Sequence, residues 1–153
     1  MRAPGVLAAA AALLVSAGLS SAGEAEDTAA IREVVRQVNA RHNEHEVGPL
    51  VALFDEKVED WAGGTQGRKA MEKTITDLFA REPNRLQQEL EEIGIVFVTP
   101  DVAIYKSRRV TTGTVDANGT PLPPQRVQFA RVLVKREGRW YLAAWFGSPL
   151  AGE

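Results

Sequence analysis

Cysteine is absent from the 153-residue chain. That excludes disulfides, thiolate zinc sites, iron–sulfur clusters and cysteine nucleophiles together, so packing alone must hold the fold. Neither sign of charge dominates: 18 basic side chains stand against 20 acidic ones, a formal charge of −2. A dedicated nucleic-acid binder carries a concentrated basic patch, so nucleic acid is not an expected partner. The longest apolar run, Val6 to Val15, falls short of the roughly 20 residues that a membrane span needs. Gly63-Gly64-Thr65-Gln66-Gly67 lacks both the spacing and the Lys-Ser/Thr ending of a phosphate loop. No nicotinamide or flavin fingerprint is present and no serine stands in a nucleophile-elbow context, so no cofactor and no serine triad are expected.

What remains is ordinary for a globular protein: 44% hydrophobic and 25% charged residues, enough chain for one core. The first segment reads as an address. Arg2 precedes the Val6–Val15 run, and the small residues Ser16–Ala22 follow it. A basic start, a short apolar stretch and a small-x-small ending make a secretory signal over residues 1–22, with the cut before Gly23. The other reading of this segment is an uncleaved N-terminal anchor. Cleavage places the protein in a bacterial periplasm or outside the cell, with no membrane attachment afterwards.

Helices are expected first. Asp27 and Thr28 are N-cap candidates before Ile31, Val34, Val35 and Val38, whose spacing is one face of a helix. His42 and His45 extend that face. Gly48-Pro49 breaks the helix and opens a short second one carrying Leu50, Leu53 and Phe54. A short strand over 57–61 closes at Gly63-Gly64, and Met71, Ile75, Leu78 and Phe79 mark a third helix ending near Arg81 to Pro83. From Leu86 the period changes to two. Extended runs 102–112, 127–134 and 140–146 are separated by turn signals at Asp116-Ala117-Asn118-Gly119 and Glu137-Gly138. Pro121, Pro123 and Pro124 keep the connection between them out of any ladder. Three helices followed by a strand meander predict an α+β domain with the helices on one face of a bent sheet.

Several of these residues carry a resemblance. Ala30-Ile31-Arg32 opens the first helix, Asn43 and Glu46 close it, Leu53-Phe54 follows, and Gly67 opens the third helix. Pro100-Asp101-Val102-Ala103 starts the long strand, Gly119-Thr120-Pro121-Leu122-Pro123-Pro124 fills the hairpin, and Trp140 follows the last turn. Over residues 27–148 this order resembles the nuclear transport factor 2-like superfamily, and within it the SnoaL-like group that contains the SgcJ/EcaC-type proteins. The resemblance implies a cone-shaped α+β barrel, in which a strongly bent mixed or antiparallel sheet wraps the long helix around an open-ended pocket. It also implies a homodimer packed through the outer face of the sheet. Members include cyclases, isomerases, dehydratases and binding domains without chemistry, so the fold leaves function open.

Strand alternation nominates the site. If Val58 faces the cone, so does Asp60, towards the end of the long helix where His42 sits. Asp60 with His42 is the catalytic candidate, a carboxylate base with an orienting or acid partner. Two alternatives stand beside it: a core or rim histidine satisfied locally, and a one-residue slip that puts Trp61 inside. Tyr105 and Arg109 share the inward face of their strand, and Arg109 there needs Asp60 or an acidic ligand. The same alternation places Gln128, Ala130, Val132 and Val134 inside, leaves Phe129, Arg131 and Leu133 for the dimer surface, and puts Trp140 on the pocket wall with Leu142 and Ala144. His42 and His45 have chelating spacing, but a zinc site needs a third ligand and Asp60 is the sole nearby option, so no metal is expected. The expected function is an exported small-molecule-binding domain whose ligand is acidic. The alternatives are a cofactor-independent isomerase, cyclase or dehydratase using Asp60, His42 and Arg109, or a non-catalytic dimeric scaffold.

Overall fold

A long helix, α1 (Ala11–Asn43), runs beneath a six-stranded sheet in the computed structural model, which describes residues 11–61 and 63–150, with side chains from residue 23 onward. Residues 1–10, where the leader reading begins, lie outside the described residues. Ile31, Val35, Val38 and His42 form its buried stripe, with Val34 half-buried beside them. The helix does not start at Asp27 or Thr28. No proline interrupts residues 11–43, so the helix continues through the expected cap. The Asp27 carboxylate instead accepts from Lys135 Nζ (2.6 Å) and Trp140 Nε1 (2.9 Å), tying α1 to the far end of the sheet.

α1 ends at Asn43, earlier than the histidine stripe suggested. His45 turns the chain with φ of 54°, stacks on Phe79 at 4.4 Å and donates from Nε2 to the Arg85 carbonyl (3.0 Å). The short α2 (Val47–Val51) follows, but Phe54 belongs to the next element, β1 (Phe54–Asp60). After the Gly63–Gly64 turn, the two-residue β2 (Thr65–Gln66) folds back on the end of β1. Helix α3 (Arg68–Arg81) starts at Gly67 and buries Met71, Ile75 and Phe79.

Four long strands complete the sheet: β3 (Leu86–Thr99), β4 (Val102–Thr112), β5 (Gln125–Arg136) and β6 (Arg139–Pro149). Their order is β2-β1-β6-β5-β4-β3; β1 and β6 are parallel and every other pair is antiparallel. Register breaks at Glu89/Glu91 and Glu92/Gly94 put extra residues into β3, which bends a strand and changes which side chains face in. Leu90 and Ile93 are consequently exposed, while Ile95 and Phe97 pack inward.

The core has two parts. One gathers Val38, Leu50, Phe54, Val58, Met71 and Ile75 among the helices, β1 and β6. The other packs Ile31 and Val35 against Ala103, Tyr105, Leu133 and Trp140. The inward face of β5 is the reverse of that expected. Ser107 of β4 lies opposite Phe129, and Lys106 opposite Ala130, so Phe129, Arg131 and Leu133 face the helices. Gln128, Ala130, Val132 and Val134 share the outer face. Residues directly opposite in an antiparallel pair must share a face, and β4 and β5 pair without a bulge.

Gly113 shows how tightly the sheet end is packed. Its φ is +69°, and a Cβ there would overlap the Asn84 carbonyl backbone. Gly113→Ala is expected to cost about 2–3 kcal/mol in urea unfolding, whereas Gly119→Ala, also at positive φ but facing open space, costs about 1 kcal/mol.

Candidate functional site

A cavity of about 160 Å³ lies between the first core part and the sheet. It is close to the volume that admits benzene and smaller than a drug-sized site. Val38 and His42, one turn apart on α1, meet Met71, Ile75 and Leu78 of α3 on one wall. Phe54, Leu142 and Trp145 complete its apolar half. The other half is polar: Gln87 at the start of β3, Arg85 just before it, Arg109 on β4 and Arg131 on β5, with Asp60 at the end of β1. The lining is thus half apolar and half cationic.

The polar half is wired through Gln87. Its backbone N–H donates to Asn43 Oδ1 (2.7 Å) and its carbonyl accepts from Asn43 Nδ2 (2.8 Å), which pins β3 to the end of α1. Its side-chain oxygen accepts from Arg109 Nη1 (2.8 Å), and its amide nitrogen faces His42 Nε2 at 2.9 Å. The His42 ring also meets Phe79 edge-on at 5.0 Å. Burial, and then the Arg85 and Arg109 charges, push His42 down to about 3, so the imidazole is neutral near pH 7.

The buried arginines differ in how their charge is answered. Arg131 is 1% exposed, binds Glu89 Oε1 at 2.7 Å and donates to Asn39 Oδ1 at 3.0 Å. Arg85 pairs with the buried Glu82 at 2.5 Å. Arg109 forms no ion pair among the described residues. Its guanidinium lies 3.5 Å from the Phe129 ring centroid, and its Nε has no hydrogen-bond partner. Burial first, then the Arg131 charge, lower its pKa to about 9. Glu89 sits directly across the ladder from Arg109, yet its Oε1 goes to Arg131 and its Oε2 has no partner. A buried, unpaired cation beside an apolar cavity is costly, and such groups mark functional sites.

The nominated residues separate into three groups. Asp60, His42 and Arg109 line the same cavity. Asp60 and His42 are not joined: the His42 Nε2 faces Gln87, and with its pKa pushed down to about 3 the ring is not an imidazolium acid near pH 7. Gly63 approaches the Asp60 carboxylate so closely that a Cβ there would come within 2.5 Å of Oδ2. Trp61 is 64% exposed, so the slipped register does not occur. Tyr105 and Trp140 face inward but belong to the second core part, where α1 fills the space a ligand would need. Gln128 lies on the exposed outer face. Ala144 does not line the cavity either; the bulge between Leu142 and Ala144 brings Trp145 there instead.

Sequence reasoning missed Gln87, Arg85 and Arg131. Gln87 and Glu89 alternate inward on β3, but both are polar, so the apolar period-two signal is silent there. Strand alternation puts Arg131 on the outer face with Phe129 and Leu133; the partners that answer its charge inside come from β3 and α1, 42 and 92 positions away.

No family model matches the chain, and no curated protein matches it either. Solved structures do. An uncharacterised protein with a cystatin-like fold from Caulobacter vibrioides superposes with a TM-score of 0.74 at 16% identity, covering 82% of this chain and 90% of that one. Hexachlorocyclohexane dehydrochlorinase LinA-type3 from Novosphingobium barchaimii LL02 gives 0.71 at 15%, covering 87% and 96%. A protein of unknown function with a cystatin-like fold from Nostoc punctiforme PCC 73102 gives 0.65 at 16%, covering 83% and 93%. The chain therefore shares the cystatin-like fold of these structures, and at these identities the likeness concerns fold alone.

Removing each arginine separates the two environments. Arg131→Met strands the Glu89 charge and is expected to lose about 3–5 kcal/mol, whereas Arg109→Met removes an unanswered cation and stays within about 1 kcal/mol of the parent or above it, both by chemical denaturation. His42 supplies a pH dependence. Between about 3 and the ordinary 6.5 the unfolded chain binds a proton there that the folded chain refuses. Stability is therefore complete above about pH 6.5 and falls towards pH 3, by roughly a few kcal/mol. His42→Gln should flatten that part of a stability-against-pH curve.

Proposed function

We propose that the chain is a SnoaL-like small-molecule-binding domain of the SgcJ/EcaC type, exported after loss of residues 1–22, whose cavity takes a compact organic monoanion. The observation that carries this reading is Arg109, buried against Phe129 without a carboxylate partner beside an apolar cavity. A carboxylate on a small apolar body answers both halves of the lining: its charge pairs with the guanidinium, and its hydrocarbon displaces water from the apolar wall. Aromatic or short branched monocarboxylates match about 160 Å³. Export is supported by the order of Arg2, the Val6–Val15 run and the small residues before Gly23.

The working form in this proposal is a homodimer built on the outer face of the sheet. Val96, Ile104, Val132 and Ala144 form a row across four strands, and Ala130 and Phe146 lie beside it. Val96 and Phe146 are 47% and 50% exposed in the single chain, an apolar surface that a second copy covers.

Catalysis is the second reading, favoured by one observation: Asp60 lines the cavity that holds Arg109. A carboxylate base and a cationic anchor in one small cavity suit proton abstraction beside a bound carboxylate or carbonyl.

Native mass spectrometry of the purified protein tests both site and assembly. The expected spectrum is a dimer carrying a small organic acid, replaced by added benzoate and not by benzylamine, with retention lost in Arg109→Met. A monomer without bound acid and without benzoate uptake overturns the reading. Conversion of the bound acid that stops in Asp60→Asn moves the protein to the enzymes.

A further inference from the structure

We infer that Gln87 is a positioning residue that sets the charge preference of the cavity, locking His42 as the neutral Nδ1–H imidazole while leaving Arg109 its full charge. The functional meaning of this lock rests on the anion-binding reading above; the lock itself follows from hydrogen-bond arithmetic. Arg109 has only donors, so the group it meets at 2.8 Å must be the Gln87 oxygen. The amide nitrogen is then committed to His42, 2.9 Å from Nε2. An amide NH₂ only donates, so His42 Nε2 must carry its lone pair and the ring proton sits on Nδ1. The flipped amide would set donor against donor at Arg109, which excludes it without appeal to how the atoms were assigned.

The consequence is specific to glutamine. Its oxygen satisfies one Arg109 N–H without adding negative charge, so the cation stays available to a ligand. Its nitrogen blocks Nε2 from protonation, so a second cation does not form one residue away from the first. Burial beside the apolar Phe79 of α3, Arg85 from the segment before β3, Arg109 from β4 and His45 beyond the end of α1 all disfavour a charged His42; the Asn43 side chain acts the other way and is outweighed. Glu82 is spent on Arg85, and Asp60 makes no hydrogen bond to the His42 ring. A glutamate at this position would pair with Arg109, cancel the charge that the ligand reads, and accept a proton-bearing His42. One amide thus separates an anion site from a self-neutralised one. Asn43 makes the placement rigid by clamping both backbone groups of Gln87.

The test uses the full chain labelled with ¹⁵N. Long-range ¹H–¹⁵N correlation of the wild-type protein at pH 6 is expected to show His42 as a single Nδ1–H tautomer. Gln87→Glu is expected to raise the His42 titration by more than about two pH units and to weaken benzoate binding at least about tenfold. Finding the Nε2–H tautomer in the wild-type protein overturns the inference whether or not the variant folds. A His42 titration unmoved by Gln87→Glu does the same. An Nδ1–H tautomer in a wild-type chain that ignores benzoate upholds the lock and overturns the anion reading.

Discussion

A guanidinium enters a protein interior only where something answers its charge, and the cavity end of this fold is organised around three that are answered differently. Arg131 takes Glu89, Arg85 takes Glu82, and Arg109 is left with an amide oxygen and an aromatic face. Desolvating a charge costs several kcal/mol, and the Phe129 face returns only part of that. The residual imbalance is held by the packing of α1, β3, β4 and β5 around it. The free protein carries that cost, and the anion proposed for the cavity would relieve it, setting stability against binding at one residue.

Placement of that residue depends on features some distance away. Asn43 closes α1 and clamps Gln87 through two hydrogen bonds, so the helix end determines where β3 begins. The unbroken β4–β5 register then puts Arg109 and Phe129 on one face, with the Arg131 guanidinium 4.7 Å from the same ring centroid. At the opposite end Asp27 binds Lys135 and Trp140, and α1 there fills the space between helix and sheet. The cone is consequently solid at one end and hollow at the other. Tyr105 and Trp140 fell in the solid end, which is why two inward-facing aromatic residues hold the core instead of a ligand.

The fold is shared with proteins as different as a dehydrochlorinase and domains of unknown function, so it supplies a hollow and little more. What distinguishes this chain is the set of side chains in that hollow. A neutral His42 that faces Gln87 is poorly suited to act as an acid, and Asp60 sits at the end of β1 under the Gly63 turn. The lining joins an apolar wall to three guanidinium groups, with the Asp60 carboxylate beside them.

Local sequence determined the parts whose cause is local. The stripe of Ile31, Val34, Val35 and Val38, the α3 spacing of Met71 and Ile75, and the turn at Glu137-Gly138 all follow from periodicity and turn chemistry. The inward face of β4 was legible too, because Lys106 and Arg108 mark its outer side, and with it came Arg109. Tertiary structure decided the rest. The parity of β5 depends on which β4 residue it meets; Arg131 is inside only because Glu89 and Asn39 arrive from other elements; the bulges in β3 and β6 leave Ile93 exposed and bring Trp145 to the cavity. A side chain's neighbours along the chain set its backbone, but the partners that answer a buried charge come from distant segments, and no window of sequence contains both.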